Sequence, residues 1–156
     1  MLEIDIPGFG NVRLKHLVSD FTGTLSLRGR LMPGVRELLN EVATILDVHV
    51  LTADTFGSAR AELEGVKCLV HVLEEGNEDR QKVEYVDRLG AEYTIAFGNG
   101  NNDRRMLKAA RIGISVCLAE GCSQRAASSA DILVTSATDA LELLLHEKSL
   151  KATLRF

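Results

Sequence analysis

Short apolar runs alternate along the chain with stretches whose apolar residues recur at helix spacing. Leu14–Ser19 is mostly apolar and stops at Asp20, which predicts a buried strand. Pro33 opens a helical pattern, with Val35, Leu38, Leu39, Val42 and Ile45–Leu46 on one side. Val48–Leu51 predicts a second strand ending at Thr52, and a helix from about Thr55 to Leu63 is stopped by Gly65. Val66–Val72 predicts a third strand. Glu78–Leu89 predicts a helix closed by Gly90, with Val83, Val86 and Leu89 on its apolar face. Tyr93–Phe97, Ile112–Leu118 and Ile132–Val134 predict three more strands, alternating with helices over Arg104–Ala110, Gln124–Ala130 and Ala137–Glu147. Strand–helix alternation implies an α/β fold: a mainly parallel sheet between two helical layers, a Rossmann-like three-layer sandwich. The start differs. Leu2–Ile6 and Val12–Leu14 flank Pro7-Gly8-Phe9-Gly10, which predicts an antiparallel hairpin packed against the sheet edge. The expected organisation is a single domain, 1–156, with the hairpin over 1–13, a core over 14–148 and a short C-terminal tail.

Composition narrows the function without naming it. The 156 residues are 46% apolar and 26% charged, ordinary for a globular chain and unlike a disordered one. Eighteen basic and 22 acidic residues leave a net charge of −4. That balance argues against nucleic-acid and anionic-membrane partners, which select basic surfaces. Seven aromatics and no Trp offer little for stacking single-stranded bases. Cys68, Cys117 and Cys122 are odd in number and lack CxxC spacing, so neither a disulfide framework nor a zinc knuckle is expected. The first residues carry acids where a signal peptide carries bases, and no apolar run reaches the ~20 residues of a membrane span. A cytoplasmic setting is expected.

In an open parallel sheet, ligands bind beyond the carboxyl ends of the strands. The first strand is followed there by Asp20-Phe21-Thr22-Gly23-Thr24, the second by Thr52-Ala53-Asp54-Thr55, and the fourth by Gly98-Asn99-Gly100-Asn101-Asn102-Asp103. Lys82, early in the preceding helix, falls at the same edge. Carboxylates, hydroxyls and one lysine suit a phosphate beside a magnesium ion: oxygen ligands for the hard cation, donors for the phosphate.

The order and types of these residues resemble the haloacid dehalogenase superfamily of phosphatases and phosphoryl-transfer enzymes. DFTGTL at Asp20–Leu25 is similar to the DKTGT phosphorylation motif of P-type ATPases. Thr52 matches the second motif and Lys82, with Leu89-Gly90 after it, the third. GNGNND at Gly98–Asp103 is similar to the ATPase GDGxND. The resemblance spans roughly residues 14–135 and, with Asn99 and the EGCSQ segment, points to capless, soluble P-type-ATPase-like members. It implies Asp20 as the nucleophile that forms an aspartyl-phosphate. It implies Thr52, the Ala53 N–H and Lys82 as holders of the phosphoryl oxygens. Asp20, the Thr22 carbonyl, Asn99 and Asp103 become the Mg²⁺ ligands, directly or through water.

Two departures temper that expectation. Phosphatases of this superfamily carry an acid/base Asp two residues after the nucleophile; here it is Thr22, whose hydroxyl does not titrate usefully near neutral pH. Loss of a positioned acid/base costs ~10²–10⁴ in rate. Asn99 stands where a metal-binding Asp is usual. A slow Mg²⁺-dependent phosphatase, or one that accumulates its phospho-intermediate, is therefore expected. The alternative is a regulatory phosphoacceptor or phosphate-binding module. A signalling receiver domain fits less well, because its phosphoacceptor follows the third strand. Between Leu25 and Thr52 lie 26 residues, predicted as one turn and one helix, too few for a cap domain. The site is thus expected to be open to a phosphorylated substrate, small molecule or macromolecule, or closed by homo-oligomerisation. Neither the nucleotide-binding domain nor the membrane segment of the ATPases has a counterpart in these residues, so transport is not expected of them.

Other polar residues have plainer explanations. Asp54 reads as a helix cap and a weak substitute for the missing acid. Asn99 and Asn102 are as good turn formers as ligands. The four histidines are scattered, and no metal or base role is expected of them. Cys122, near a helix start, is a candidate for a lowered pKa but is better explained as a structural thiol.

Overall fold

A computed structural model of the chain describes residues 1–53 and 57–156. The N-terminal hairpin pairs β1 (Leu2–Ile6) antiparallel to β2 (Gly10–Leu14). The core strands are β3 (His16–Asp20), β6 (Asp47–Thr52), β7 (Leu69–Val72), β8 (Thr94–Gly98), β9 (Ile112–Val116) and β10 (Ile132–Val134). They form one parallel sheet in the order β10-β9-β8-β3-β6-β7. Chain order reverses between β3 and β8, the kind of switch point where two strand-end loops diverge and leave a crevice.

Apolar alternation assigns the two faces. Leu17, Val48, Val50, Ile95, Phe97, Ile112 and Ile114 point into the larger core, with α1 (Val35–Val42), α6 (Ala137–Leu145) and α7 (Glu147–Leu154). Val18, Leu51 and Ala96 point to the other face. There they meet α3 (Glu78–Leu89) through Val86, α4 (Arg104–Ala109) through Met106 and Leu107, and α5 (Gln124–Ser129) through Ala126. Helix α1 buries Val35, Leu39 and Val42 at four- and three-residue steps. The short α2 (Ser58–Glu62) follows residues outside the described set; the expected start at Thr55, and Asp54, lie there.

Three expectations need correction. The hairpin is not on a sheet edge; the edges are β7 and β10, and β1 and β2 form a separate two-stranded sheet. Leu2, Ile4, Ile6, Val12 and Leu14 all face inward, because alternation gives the hairpin one apolar side that α7 and the larger core cover. The C-terminal tail is instead α7, whose Leu150 and Leu154 are buried. Between Leu25 and α1 the chain adds a small antiparallel ribbon, β4 (Ser26–Leu27) with β5 (Arg30–Leu31), too short to leave a periodic signal. No inserted domain occupies this segment.

Candidate active site

Strand β3 ends at Asp20, and the turn after it is wound tightly. The N–H of Gly23 donates to the Ser26 carbonyl at 2.8 Å, and those of Leu25 and Ser26 donate to the Phe21 carbonyl at 3.0 Å. Gly23 has φ +77°, and a Cβ there would stand 2.5 Å from Asn99 Nδ2, so the close approach of these loops requires glycine. The Thr24 hydroxyl, fully buried, lies 3.2 Å from both Asp20 Oδ2 and Asn99 Oδ1. Thr24 was missed as a site residue, although its place four residues after the nucleophile was the signal.

Lys82 holds the centre. Helix α3 turns Lys82 and Val86 inward together, one turn apart; of the expected Val83–Val86–Leu89 face, Val86 is buried and Leu89 packs against the same core, and Lys82 joins them. The ammonium donates to Asp20 Oδ1 at 2.8 Å and to Asp103 Oδ1 at 2.7 Å, and Lys82 is only 1% exposed. Asp103 is wholly buried. Its other oxygen accepts from the N–H groups of Asn99 and Gly100, both at 2.9 Å, which fixes the loop after β8. Gly98 permits this; a Cβ there would meet Asp103 Cβ at 2.5 Å.

Two carboxylates share one ammonium, so the cluster is one negative charge out of balance. Burial first, and then the neighbouring Asp103, push the Asp20 carboxyl up to about 6, against the opposing pull of Lys82 and Thr24. Burial alone would lower the Lys82 ammonium, but Asp20 and Asp103 outweigh it and hold the pKa above the usual lysine range. A proton or a cation would restore neutrality. The donor set fits a hard cation: Asp20 Oδ2 and Asn99 Oδ1 flank the same hydroxyl, and both are oxygens. Among the described residues no three His, Cys, Asp or Glu side chains form a ready metal cluster. Asp103, with both oxygens engaged by protein donors, contributes charge and loop position to such a site.

The remaining candidates take varied places. Thr52 ends β6 beside β3 and is 3% exposed; Ala53 follows it at the surface. Thr22 is exposed in the turn after Asp20. Asn102 faces away, its amide donating to Glu78 Oε2 at 2.7 Å, so it ties the loop to α3. The histidines, scattered in sequence, partly gather. His16 and His49 lie 3.4 Å apart, His49 lies 2.9 Å from the Tyr85 hydroxyl, and His71 packs on the same ring. His16 stands at the opposite end of β3 from Asp20. Cys122 is not acidified; burial, then the Cys117 thiol, raise its pKa.

Comparison with known proteins agrees with this geometry. Residues 81–141 match the family model for haloacid dehalogenase-like hydrolases. An uncharacterized protein of Methanocaldococcus jannaschii is 44% identical over 84 residues, covering 51% of this chain and 90% of that protein. The chain belongs to the haloacid dehalogenase superfamily. Its fold matches the 3-deoxy-D-manno-octulosonate 8-phosphate phosphatase of Moraxella catarrhalis, solved with magnesium, phosphate and the sugar acid. That match has a TM-score of 0.68 at 16% identity, covering 91% of this chain and 94% of that one. The cobalt-bound phosphatase of Haemophilus influenzae gives 0.70 at 13% identity, with 92% and 94% covered. A zinc-transporting PIB-type ATPase gives 0.60 at 26% identity over 79% of this chain, which spans 20% of that protein. This haloacid dehalogenase-like chain therefore shares a fold with phosphatases and with one part of a transport ATPase. Among its described residues no helix is long and apolar enough to cross a membrane.

Proposed function

We propose that this chain is a slow, Mg²⁺-dependent phosphohydrolase that works through an aspartyl-phosphate at Asp20. The observation that carries the reading is the Lys82 ammonium, buried and bonded to both Asp20 and Asp103 at the switch point of the sheet. Lys82 and Thr24 hold the two Asp20 oxygens in fixed directions, so the carboxylate meets a phosphoryl group already oriented. An Asp20 oxygen attacks phosphorus in line, the ester oxygen leaves, and water later releases phosphate from the acyl-phosphate. Thr52 and the Ala53 N–H receive the phosphoryl oxygens, and Lys82 offsets the charge that nucleophile and phosphate bring together. Asp20, the Thr22 carbonyl and Asn99 would hold Mg²⁺, with Asp103 behind them. Bound there, the ion supplies charge neutralisation on the transferring group.

The slow step follows from Thr22. It is exposed and carries no titratable group, so nothing at that position protonates the leaving oxygen or activates water. This also favours the second reading, a phosphoacceptor whose acyl-phosphate persists and signals to a partner. The test is a Mg²⁺ assay with a generic aryl phosphate and a panel of phosphorylated metabolites, run beside Asp20→Asn. Turnover that disappears in the variant supports the hydrolase. Turnover equal in both proteins overturns it. A hydroxylamine-sensitive phosphoprotein formed without turnover selects the phosphoacceptor.

A further inference from the structure

The ribbon of β4 and β5 closes on Arg28 and Gly29, between the paired Leu27 and Arg30. Arg28 has φ +53° and Gly29 φ +80°, so both central residues of this two-residue turn are left-handed. Such a turn selects Asn-Gly, Asp-Gly or Gly-Gly, because a Cβ on left-handed backbone crowds the carbonyl oxygen that follows. Among the described residues Asn77 is the only other non-glycine with positive φ, and asparagine tolerates it. Arginine at the ribbon tip is the exception. Turn chemistry does not account for it, and an outlier of this kind next to a reactive site points to function.

The tip is held beside the phosphate site. Glu120, in the turn between β9 and α5, accepts from the Arg28 N–H at 2.8 Å through Oε1. Its Oε2 stands 3.0 Å from where a Cβ on Gly23 would lie, and Asn99 Nδ2 stands 2.5 Å from the same point. Asn99 Nδ2 also donates to the carbonyl of Gly121, the next residue, at 3.4 Å. Contacts therefore run from Asp20 through Thr24 and Asn99 to the Glu120-Gly121 turn and the Arg28 backbone. The other strand of the ribbon is tied too, with the Leu31 N–H donating to Glu62 Oε2 at 2.9 Å. Both flanking carboxylates thus engage backbone N–H groups. The Arg28 side chain is exposed, and its guanidinium has no hydrogen-bond or ion-pair partner among the described residues.

We propose that Arg28 is a specificity-determining residue: its guanidinium takes a second anionic group, a carboxylate or another phosphate, on the ester whose phosphoryl group meets Asp20. This deepens the phosphohydrolase reading and rests on it. A guanidinium binds either oxyanion through two parallel N–H donors. In a chain of net charge −4, an unpaired cation beside the site also favours a multiply charged ester in the approach to it.

The test compares matched esters on the full chain with Mg²⁺: phosphoglycerate against glycerol phosphate, and a hexose bisphosphate against the hexose monophosphate. Wild type favours the doubly anionic member of at least one pair by about tenfold or more in kcat/KM, the effect of one charge-assisted contact. The pair with the larger ratio tells carboxylate from phosphate. Arg28→Asn abolishes the preference through KM and leaves kcat for glycerol phosphate unchanged. Its melting temperature equals or exceeds that of wild type, because asparagine suits the left-handed turn. Arg30→Gln removes the same charge from β5, two residues away, and keeps the preference. No preference in wild type, or equal losses in Arg28→Asn and Arg30→Gln, overturns the proposal. Calorimetry on Asp20→Asn, with and without Arg28→Asn, repeats the comparison without turnover. If wild type hydrolyses no ester, the phosphohydrolase reading fails, while these affinities still decide Arg28. Tighter binding of a doubly anionic ester that disappears with Arg28 supports its role; equal or undetectable binding overturns it.

Discussion

At the carboxyl ends of β3 and β8 the chain buries Asp20, Lys82 and Asp103. At the amino ends of the same strands it buries hydrocarbon: Ile6 and Leu14 of the hairpin and Leu150 of α7, all fully covered. Backbone bonds join the hairpin's exit to the starts of β8 and β6, with the Lys15 N–H donating to Tyr93 and the Lys15 carbonyl accepting from Asp47, both at 2.8 Å. Apolar burial at that end yields roughly 25 cal/mol per Å². Charge burial at the other end costs free energy that a single lysine does not fully offset. One end supplies stability, and the other holds a buried polar cluster that costs some of it.

The largest expected break in this contrast is Lys82→Met. It leaves two carboxylates buried without a cation, which costs about 3–5 kcal/mol. It also removes the group that orients Asp20, so turnover falls by ~10³ or more. Thermal unfolding and aryl phosphate kinetics check both effects. A variant of unchanged stability would show that the carboxylates are hydrated rather than buried.

Leu150→Ala should do the reverse. Emptying a fully buried leucine site under the hairpin costs about 2–5 kcal/mol, yet kcat for the folded fraction stays at wild type. Denaturant unfolding gives the first quantity, and kinetics well below the transition give the second. A comparable fall in kcat would mean that the two ends of the sheet are not separable.

Asp20→Asn gives a smaller effect with a definite sign. The Asp20 carboxyl titrates near 6 in the fold against 3.8 when unfolded, so between those values the folded state binds more protons. Stability contributed by Asp20 therefore falls as pH rises through that window. The full penalty, on the order of 3 kcal/mol, is present above about pH 6. Asparagine removes the charge and leaves Lys82 paired with Asp103. The melting temperature of the variant minus that of wild type should be near zero at pH 4 and rise by several degrees by pH 7, measured with a chelator present. Mg²⁺ should then raise wild type more than the variant, because only wild type offers the charged ligand. A difference that stays flat with pH would sink the charge imbalance.

The sheet and its helices were legible because the apolar periods are strong: Glu78–Leu89 and Ile132–Val134 match their predicted bounds. The strand-end residues were legible for a topological reason, since parallel strands must deliver their trailing loops to one edge. Contacts that depend on distance were not. Nothing in the spacing of Lys82 says that its ammonium bridges two carboxylates, or that it turns inward beside Val86 of the expected apolar face. Thr24 carries no signal of its own in the sequence, because its hydroxyl is shared between Asp20 and Asn99, which lies 75 positions away. The hairpin's partner was hidden because α7 has a modest apolar pattern, and its packing on β1 is a long-range choice.

The smallest effect bears most directly on the chemistry. Thr22 occupies the exposed position two residues after Asp20, where a carboxylate would face the leaving group. Thr22→Asp should raise turnover about tenfold, below the ~10²–10⁴ of a positioned acid/base because the surrounding loop is not shaped around the new group. The gain should lie in dephosphorylation, so the acyl-phosphate becomes shorter-lived and the pH–rate profile acquires a limb that wild type lacks. Thr22→Asn is the control, since it matches aspartate in size and polarity but transfers no proton. If both variants give the same rate, the slow step owes nothing to a missing acid. Accelerated release in the aspartate variant alone would place the difference between a phosphatase and a long-lived phosphoacceptor in one side chain, on a scaffold that otherwise holds the phosphate in the same way.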